Sequence, residues 1–416
     1  MMQERQYGIS PNNIYVLQDI KTLSLTNDPE VTKVFEDLIK SQEIIFDDIN
    51  HLTTHLSRII SKIPKSFNPY AKVHNVTNYN KASDLIMDTS EGLNLLLNGN
   101  RKSIITSGEE FPTFVYRGQA KFYDECKPNV FRINPKTGDI DLAGKLIDLT
   151  RSIIFEQALS FHPFINLIND KRILQILGGH FDGRIQCISK ALYDYPFYVN
   201  RKGILQHYGF PTNLLDTTSN IKVAAFFATC EQDETTNNYK PIKYEENGVF
   251  YVIAWYHKDI FNSFDFIGWQ PLSRPEEQRA SSLKMSEHDN LNLMPHVFKY
   301  RFKHDLHWSK KCYGILNGEN NLFAEDVMDK VANDIKNEAE FDDEHLWFAY
   351  KKLLEYFPSL KIFGYATMRD IIKRKDISIV DTVDVKSKYM SGLENQDYRE
   401  HLVELMRAIK VREIII

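Results

Sequence analysis

Two short stretches bring together residues able to bind a ligand or do acid–base work. The first is Val115-Tyr116-Arg117-Gly118-Gln119. The β-rich run Thr113-Phe114-Val115-Tyr116 is stopped by Arg117-Gly118, so a strand delivers an arginine at its end. A guanidinium is a rigid, permanently charged fork suited to phosphate or carboxylate, and a glycine lets a backbone or a ligand approach closely. A structural ion pair at a turn is the competing reading of Arg117. The second stretch runs from Gln206-His207-Tyr208-Gly209-Phe210-Pro211-Thr212 to Asn220. Gly209 and Pro211 fix a turn, and Leu214-Leu215 predicts a short buried strand. Asp216-Thr217-Thr218-Ser219 then leads into an apolar helix over 221–230, which one of these four residues is expected to cap. The start of that helix also points free N–H groups at any nearby anion. Capping alone leaves His207 and Tyr208 unexplained.

The elements around these stretches are read from periodicity. Positions 31, 35, 38, 42, 45, 49, 52, 56, 59 and 63 follow alternate steps of four and three, and only Gln42 is polar. No Pro or Gly interrupts before Pro64, so one long helix is expected over Val31 to Ile63. It fits a coiled coil with a second copy of the chain or packing on a helix of its own chain. Off-seam apolar residues such as Val34, Ile39 and Ile60 widen the stripe and favour the latter. Ser83 to Leu97 is expected to be a helix ended by Asn98-Gly99-Asn100. Leu146 to Leu177 predicts a helix broken near Pro163, and Ile185 to Tyr193 a short one. Gly248 to Trp255 is a nearly continuous apolar run suited to a central strand. Glu325 to Asn337, Glu344 to Tyr356 and Tyr398 to Lys410 predict C-terminal helices.

Composition excludes several classes. The chain has 416 residues, 43% hydrophobic and 26% charged, which permits a sizeable core and rules out whole-chain disorder. No apolar run reaches the length of a membrane span, and Met1 to Pro11 lacks the apolar core of a secretory signal. A net charge of -5 gives no broad electrostatic footprint for nucleic acid. Cys126, Cys187, Cys230 and Cys312 are widely spaced, with no histidine at metal-ligand spacing, so no metal site is expected and they read as reduced thiols of a cytoplasmic protein. His304 and His307 stand at i, i+3 and can share a helical face, without a third ligand. Neither a G-x-G-x-x-G nor a P-loop is present.

Tyr116-Arg117-Gly118-Gln119, followed by Pro128-Asn129-Val130-Phe131-Arg132, resembles the opening of the FRG-domain family, named for a Phe-Arg-Gly tripeptide. Gln206 through Asp216 and on to Ala224-Ala225-Phe226-Phe227-Ala228 resembles that family's most distinctive motif, and Arg274 to Ser282 resembles its third segment, with Gln278 matching. Tyr116 replaces the phenylalanine, Thr217 stands where a tryptophan is common, and Ala280 stands where glycine is usual. A more distant similarity in segment order is to ADP-ribosyltransferases. That similarity implies NAD as the substrate, held by Arg117 with Gly118, Gln119, Arg132 and Tyr208. It implies that Thr217 and Thr218 set the strand beside the nicotinamide. It makes Glu277 or Glu276 the catalytic acid, with Gln278, His207 and Asp216 as further catalytic candidates. The expected protein is a cytoplasmic α+β enzyme without membrane association. A helical region over 1–105 precedes a mixed-sheet FRG-like domain over 106–310, and a mainly helical region over 311–416 follows. The expected activity is ADP-ribosyl transfer to a protein or nucleic-acid target, or NAD hydrolysis, in the role of a bacterial toxin or phage-defence effector. The alternative is a non-catalytic module that binds a ligand or nucleic acid.

Overall fold

The computed structural model describes residues 29–64, 113–133, 138–194, 199–233, 238–243, 247–255, 263–267, 270–323, 326–358, 364–393, 398–400 and 402–403, together with the backbone of strands at 86–89, 93–98, 102–107 and 409–411. The chain opens with α1 (Pro29–Ser41), the short strand β1 (Ile45–Phe46) and α2 (Ile49–Ile60). The expected single helix over 31–63 is thus two helices with a strand between them. Val31, Phe35 and Leu38 on α1 and Ile49, Leu52, Leu56 and Ile59 on α2 are all buried, so the four-and-three repeat holds on both sides of the break. The break falls at Gln42, the polar exception. Its Oε1 accepts a bond from the Lys299 amide at 2.9 Å, and Asp48 then starts α2 by accepting from the His51 amide. The apolar stripe packs into the same core as the main sheet, which removes the basis for a coiled coil through Val31 to Ile63.

Ser83 to Leu97 is not a helix. It contributes β2 (Ile86–Thr89) and β3 (Leu93–Asn98), which form an antiparallel meander with β4 (Lys102–Ser107) and a strand from the C-terminal end. Then follow β5 (Val115–Gln119), α3 (Leu142–Ser160), α4 (Pro163–Leu167), α5 (Lys171–Leu177), α6 (Gly183–Asp194) and α7 (Arg201–His207). β5 runs through Arg117-Gly118 instead of stopping there. The helical stretch over 146–177 breaks where expected, with Pro163 opening α4. β6 (Leu214–Thr218), α8 (Ile221–Thr229), β7 (Cys230–Gln232), β8 (Tyr239–Pro241), β9 (Asn247–Ile253), β10 (Phe264–Phe266), α9 (Ser273–Glu277), β11 (Ala280–Lys284) and β12 (Val297–Lys303) complete the middle of the chain. The C-terminal part holds α10 (Leu306–Ile315), α11 (Val327–Lys336), β13 (Glu340–Asp342), α12 (Asp343–Tyr356), α13 (Tyr365–Lys373), β14 (Ser378–Val380) and β15 (Ile409–Val411). The helix expected over Tyr398 to Lys410 therefore ends before Ile409, which pairs with Thr89 in a strand, and most of 401–408 lies outside the described residues.

The fold is α+β. The main sheet has seven strands in the order β1-β12-β9-β5-β6-β11-β10, antiparallel except for the β1–β12 pair. β9 lies inside it between β12 and β5, and Val249 to Trp255 are buried, as a central apolar strand requires. α1 and α2 share a core with the β9–β12 half of the sheet. α3 and α7 share a second core with α11, α12 and α13. No helix among the described residues is long and apolar enough to cross a membrane.

Candidate functional site

The site begins where β5 and β6 part. β5 pairs with β9 at five positions but with β6 only at Tyr116 opposite Thr218. Past that point the ladder stops, and the Arg117 guanidinium bridges the fork: its Nη1 donates to the Asp216 carbonyl oxygen at 2.7 Å. Alternation along the strand puts Gly118 on the opposite face. A Cβ there would lie 1.8 Å from the Ala224 carbonyl oxygen, so this glycine exists to let β5 meet the α8 backbone. Of the two readings of close approach at Gly118, the partner is backbone.

α7 brings the second group of side chains. Asn200 caps it by accepting from the Gly203 amide, and Gly209 ends the turn beyond it at a φ of 79°. At its end Gln206 is held by the Thr212 hydroxyl, which donates to Gln206 Oε1, and Gln206 Nε2 donates to Asp216 Oδ2 at 3.1 Å. Thr212 is itself fixed, since its amide donates to Asn129 Oδ1 at 3.2 Å and its hydroxyl accepts from the Leu214 amide. His207 is buried and lies beside Gln278. Burial pushes its pKa below the usual histidine value and outweighs the nearby Asp216 charge, so the ring is neutral at pH 7. Gln278 Nε2 is committed to the Leu322 carbonyl at 3.1 Å, and His207 Nε2 is buried without a hydrogen-bond partner.

Among the described residues, the buried polar atoms here without a hydrogen-bond partner include Arg117 Nε, Gln119 Oε1, His207 Nε2 and Asp216 Oδ1, with Ser282 Oγ on the strand beside Asp216 and Arg274 Nε below His207. Leaving such atoms unmet costs about 1–3 kcal/mol each. Gln119 Oε1 and Asp216 Oδ1 are acceptors, a neutral His207 can accept at Nε2, and Arg117 Nε is a charged donor. Arg117 is tied to Asp216 through the backbone and His207 lies within electrostatic reach of Asp216, while Gln119 follows Arg117 on the same face of β5. Tyr239 lies within electrostatic reach of Asp216 and Arg117, and its phenol is pushed up to about 12, first by burial and then by Asp216 and Glu319.

The remaining sequence candidates sit elsewhere or carry structural duties. Thr217 and Thr218 do not cap α8; they are buried in β6, where Thr217 Oγ1 meets Ser281 Oγ at 2.7 Å and Thr218 Oγ1 donates to the Gln278 carbonyl at 2.6 Å. The cap of α8 is Asn220, whose side chain accepts from the Lys222 amide, and none of Asp216 to Ser219 takes that place. Tyr208 is enclosed in the helical core. Its hydroxyl donates to Asp326, its ring lies 5.4 Å from Phe155, and the Arg274 guanidinium sits 4.7 Å above it. Arg274 is paired with Asp329 and donates to the His207 carbonyl, so it ties α9 to α11. Arg132 donates from Nε to the Lys127 carbonyl and is close enough to Arg117 for their like charges to repel. Glu277 is exposed at the end of α9, and the side chain of Glu276 lies outside the described residues. His304 follows β12 and bonds the Ala120 carbonyl, whereas His307 opens α10, so the two share no helical face. No cluster of three or more metal-ligating side chains occurs among the described residues. Sequence reasoning passed over Tyr239, which lies in a polar stretch without a motif, and gave no role to Gln206, although its motif was in view.

The segment that supplies α7, the turn at Gly209, β6 and α8 can be set against known families. Residues 184–237 match the FRG domain. The matched FRG segment carries His207, Tyr208, Asp216, Thr217 and Thr218. Arg117 and Gln278, which the fold brings to Asp216 and His207, lie outside it. No curated protein and no solved structure matches the chain.

Proposed function

We propose that the protein is an NAD-using enzyme that breaks the bond between nicotinamide and ribose, as ADP-ribosyltransferases and NAD hydrolases do. The observation that carries this reading is the set of unmet atoms on Arg117, Gln119, His207 and Asp216 at the fork between β5 and β6. Three acceptors suit ribose hydroxyls, and the remaining guanidinium N–H suits a phosphate or carbonyl oxygen. Asp216, not Glu277, takes the role of the acid: its backbone carbonyl holds Arg117, its charge acts on His207, and one of its carboxylate oxygens has no hydrogen-bond partner. In this reading Asp216 stabilises the positive charge that grows on the ribose as the C–N bond breaks and nicotinamide leaves with the electron pair. Neutral His207 takes the proton of the water or acceptor group that attacks the anomeric carbon. An enzyme that exhausts NAD stops the growth of its host, which is the form a toxin or defence role takes here.

A second reading, ligand binding without turnover, is favoured by the exposed position of Glu277 and by the commitment of Arg117 Nη1 to a carbonyl. One experiment separates the two. The full chain is incubated with NAD and nicotinamide release is followed by chromatography, beside Asp216→Asn and Arg117→Lys. The enzymatic reading expects release that falls at least ~100-fold in Asp216→Asn. Saturable NAD binding with no release establishes the binding module instead, and neither release nor binding refutes both.

A further inference from the structure

On the other side of the turn that follows α7 lies a cleft of about 290 Å³ with a different chemistry. Three cations face it, and one carboxylate. Lys145, Asp148 and Arg151 come from one face of α3 at steps of three residues. Lys336 comes from the last turn of α11, and the turn Gly209-Phe210-Pro211 forms the opposite wall.

One carboxylate, Asp148, serves both Arg151 and Lys145, so the cleft keeps an excess of positive charge. Arg151 spends Nε and Nη2 on the Glu338 carbonyl, at 3.1 and 2.8 Å, and approaches Asp148 only to 3.5 Å. Asp148 is itself 51% exposed at its side chain, so it offers a screened charge. Lys145 Nζ donates to the Asn129 carbonyl at 2.7 Å, and no carboxylate stands within ion-pair distance of it among the described residues. The same holds for Lys336, whose Nζ rests 5.5 Å from the centre of the Phe210 ring. Both lysines have pKa values pushed down, first by burial. The turn is shaped around Lys336: Gly209 holds a φ of 79°, and a Cβ on it would come 3.1 Å from Lys336 Nζ. Three cations outnumber the single carboxylate in the lining, and a bound anion offsets the excess positive charge. The volume lies at the bottom of the range of small-molecule sites and is far too small for a duplex.

We propose that this cleft binds a small molecule carrying two linked phosphate groups, held by Lys145, Arg151 and Lys336. The site is distinct from the Arg117–Asp216 centre and stands whether or not that centre cleaves NAD. It also gives the Gly-Phe-Pro turn of the FRG segment a purpose, since the backbone conformation of Gly209 leaves room for the ammonium.

Calorimetric titration of the full chain with inorganic pyrophosphate and with ADP tests this, using Lys336→Gln, Lys145→Gln and inorganic sulfate for comparison. Saturable binding of pyrophosphate or ADP is expected, weaker for sulfate, and reduced at least ~10-fold in either variant. Urea unfolding of each variant shows whether it keeps the fold, and a variant that does not is replaced in the comparison by the other. Absence of saturation by pyrophosphate and ADP at millimolar concentration overturns the proposal. So does equal affinity in a folded variant. Displacement of pyrophosphate by a short single-stranded oligonucleotide at lower concentration than ADP would assign the cleft to nucleic acid and overturn it too.

Discussion

Replacing Gly118 with alanine is the sharpest test of how the fold holds Arg117. The added Cβ would sit 1.8 Å from the Ala224 carbonyl oxygen and 2.7 Å from the Ala228 amide nitrogen, where ordinary contact needs 3.4 Å or more. Both obstacles are backbone atoms of α8, so no side-chain rotation relieves them. The helix must retreat by roughly 1.5 Å, or β5 must bend by as much. Ala224 and Ala228, four residues apart on one face of α8, are small because the approach is this close. Retreat also loosens Val223, Ala225 and Phe226, all buried in the surrounding core. Overpacking in a core costs about 1–3 kcal/mol when side chains can adjust and more when they cannot, so a loss of at least ~3 kcal/mol is expected. That is a large part of a typical total of about 5–15 kcal/mol. Urea unfolding followed by tryptophan fluorescence is the assay. With a slope of ~3 kcal/mol per molar, the midpoint should fall by about 1 M. A midpoint within ~0.2 M of the parent chain would refute the claim that β5 and α8 touch through this glycine.

Three further outcomes are expected. Gly314→Ala places its Cβ in open space within α10, so it should raise stability by ~0.5–1 kcal/mol in the same urea assay, through helix propensity alone. Tyr208→Phe removes the hydroxyl that donates to the helix-capping Asp326 and should cost ~1–3 kcal/mol while leaving any nicotinamide release per folded molecule unchanged; a loss of release without a loss of stability would return Tyr208 to the active site. His162 is buried with both ring nitrogens unpartnered, and burial lowers its pKa to about 4. The unfolded chain therefore takes up a proton first: the native state keeps its full advantage above pH ~6.5 and loses it progressively as pH falls toward 4. His162→Leu should flatten the fall of the urea midpoint between pH 7 and 5, and an unchanged slope would show that this residue does not set it.

What the sequence made legible divides along physical lines. β9 and α8 declare themselves because their burial is nearly complete and their composition has one explanation. The stripe over 31–63 declares its buried face but not its break. Gln42 and its neighbours contain no Pro or Gly, and the helix yields there because Ile45-Phe46 finds a parallel partner in Arg301-Phe302, over 250 residues away. The polar exception in the seam was the mark of that break. The stretch from Ser83 fails for the same reason. Its strands are paired partly by Ile409 to Val411, and local propensity carries no record of a partner so distant. Asp216 to Ser219 resemble a cap because Asp, Thr and Ser favour helix starts, yet β6 claims most of them through its ladder with β11 and leaves the cap to Asn220.

The same competition explains why the candidate acid changes. Segment order placed it at Glu276 or Glu277, where a short helix ends at the surface. The fold offers Asp216, because β5 and β6 separate after a single paired position and leave the arginine of one strand to bond the backbone of the other. Gln206 holds one oxygen of Asp216, and Thr212 holds Gln206, so the other oxygen is kept free in a fixed direction. The turn between Gln206 and Thr212 thus works on two sides. Its ends orient Asp216, and its middle, from Gly209 to Pro211, walls the cationic cleft. A change at Gly209 is therefore felt first at Lys336. A change at Thr212 is felt first at Asp216, and measuring pyrophosphate binding and nicotinamide release on both variants would show whether the two sides are coupled or only adjacent.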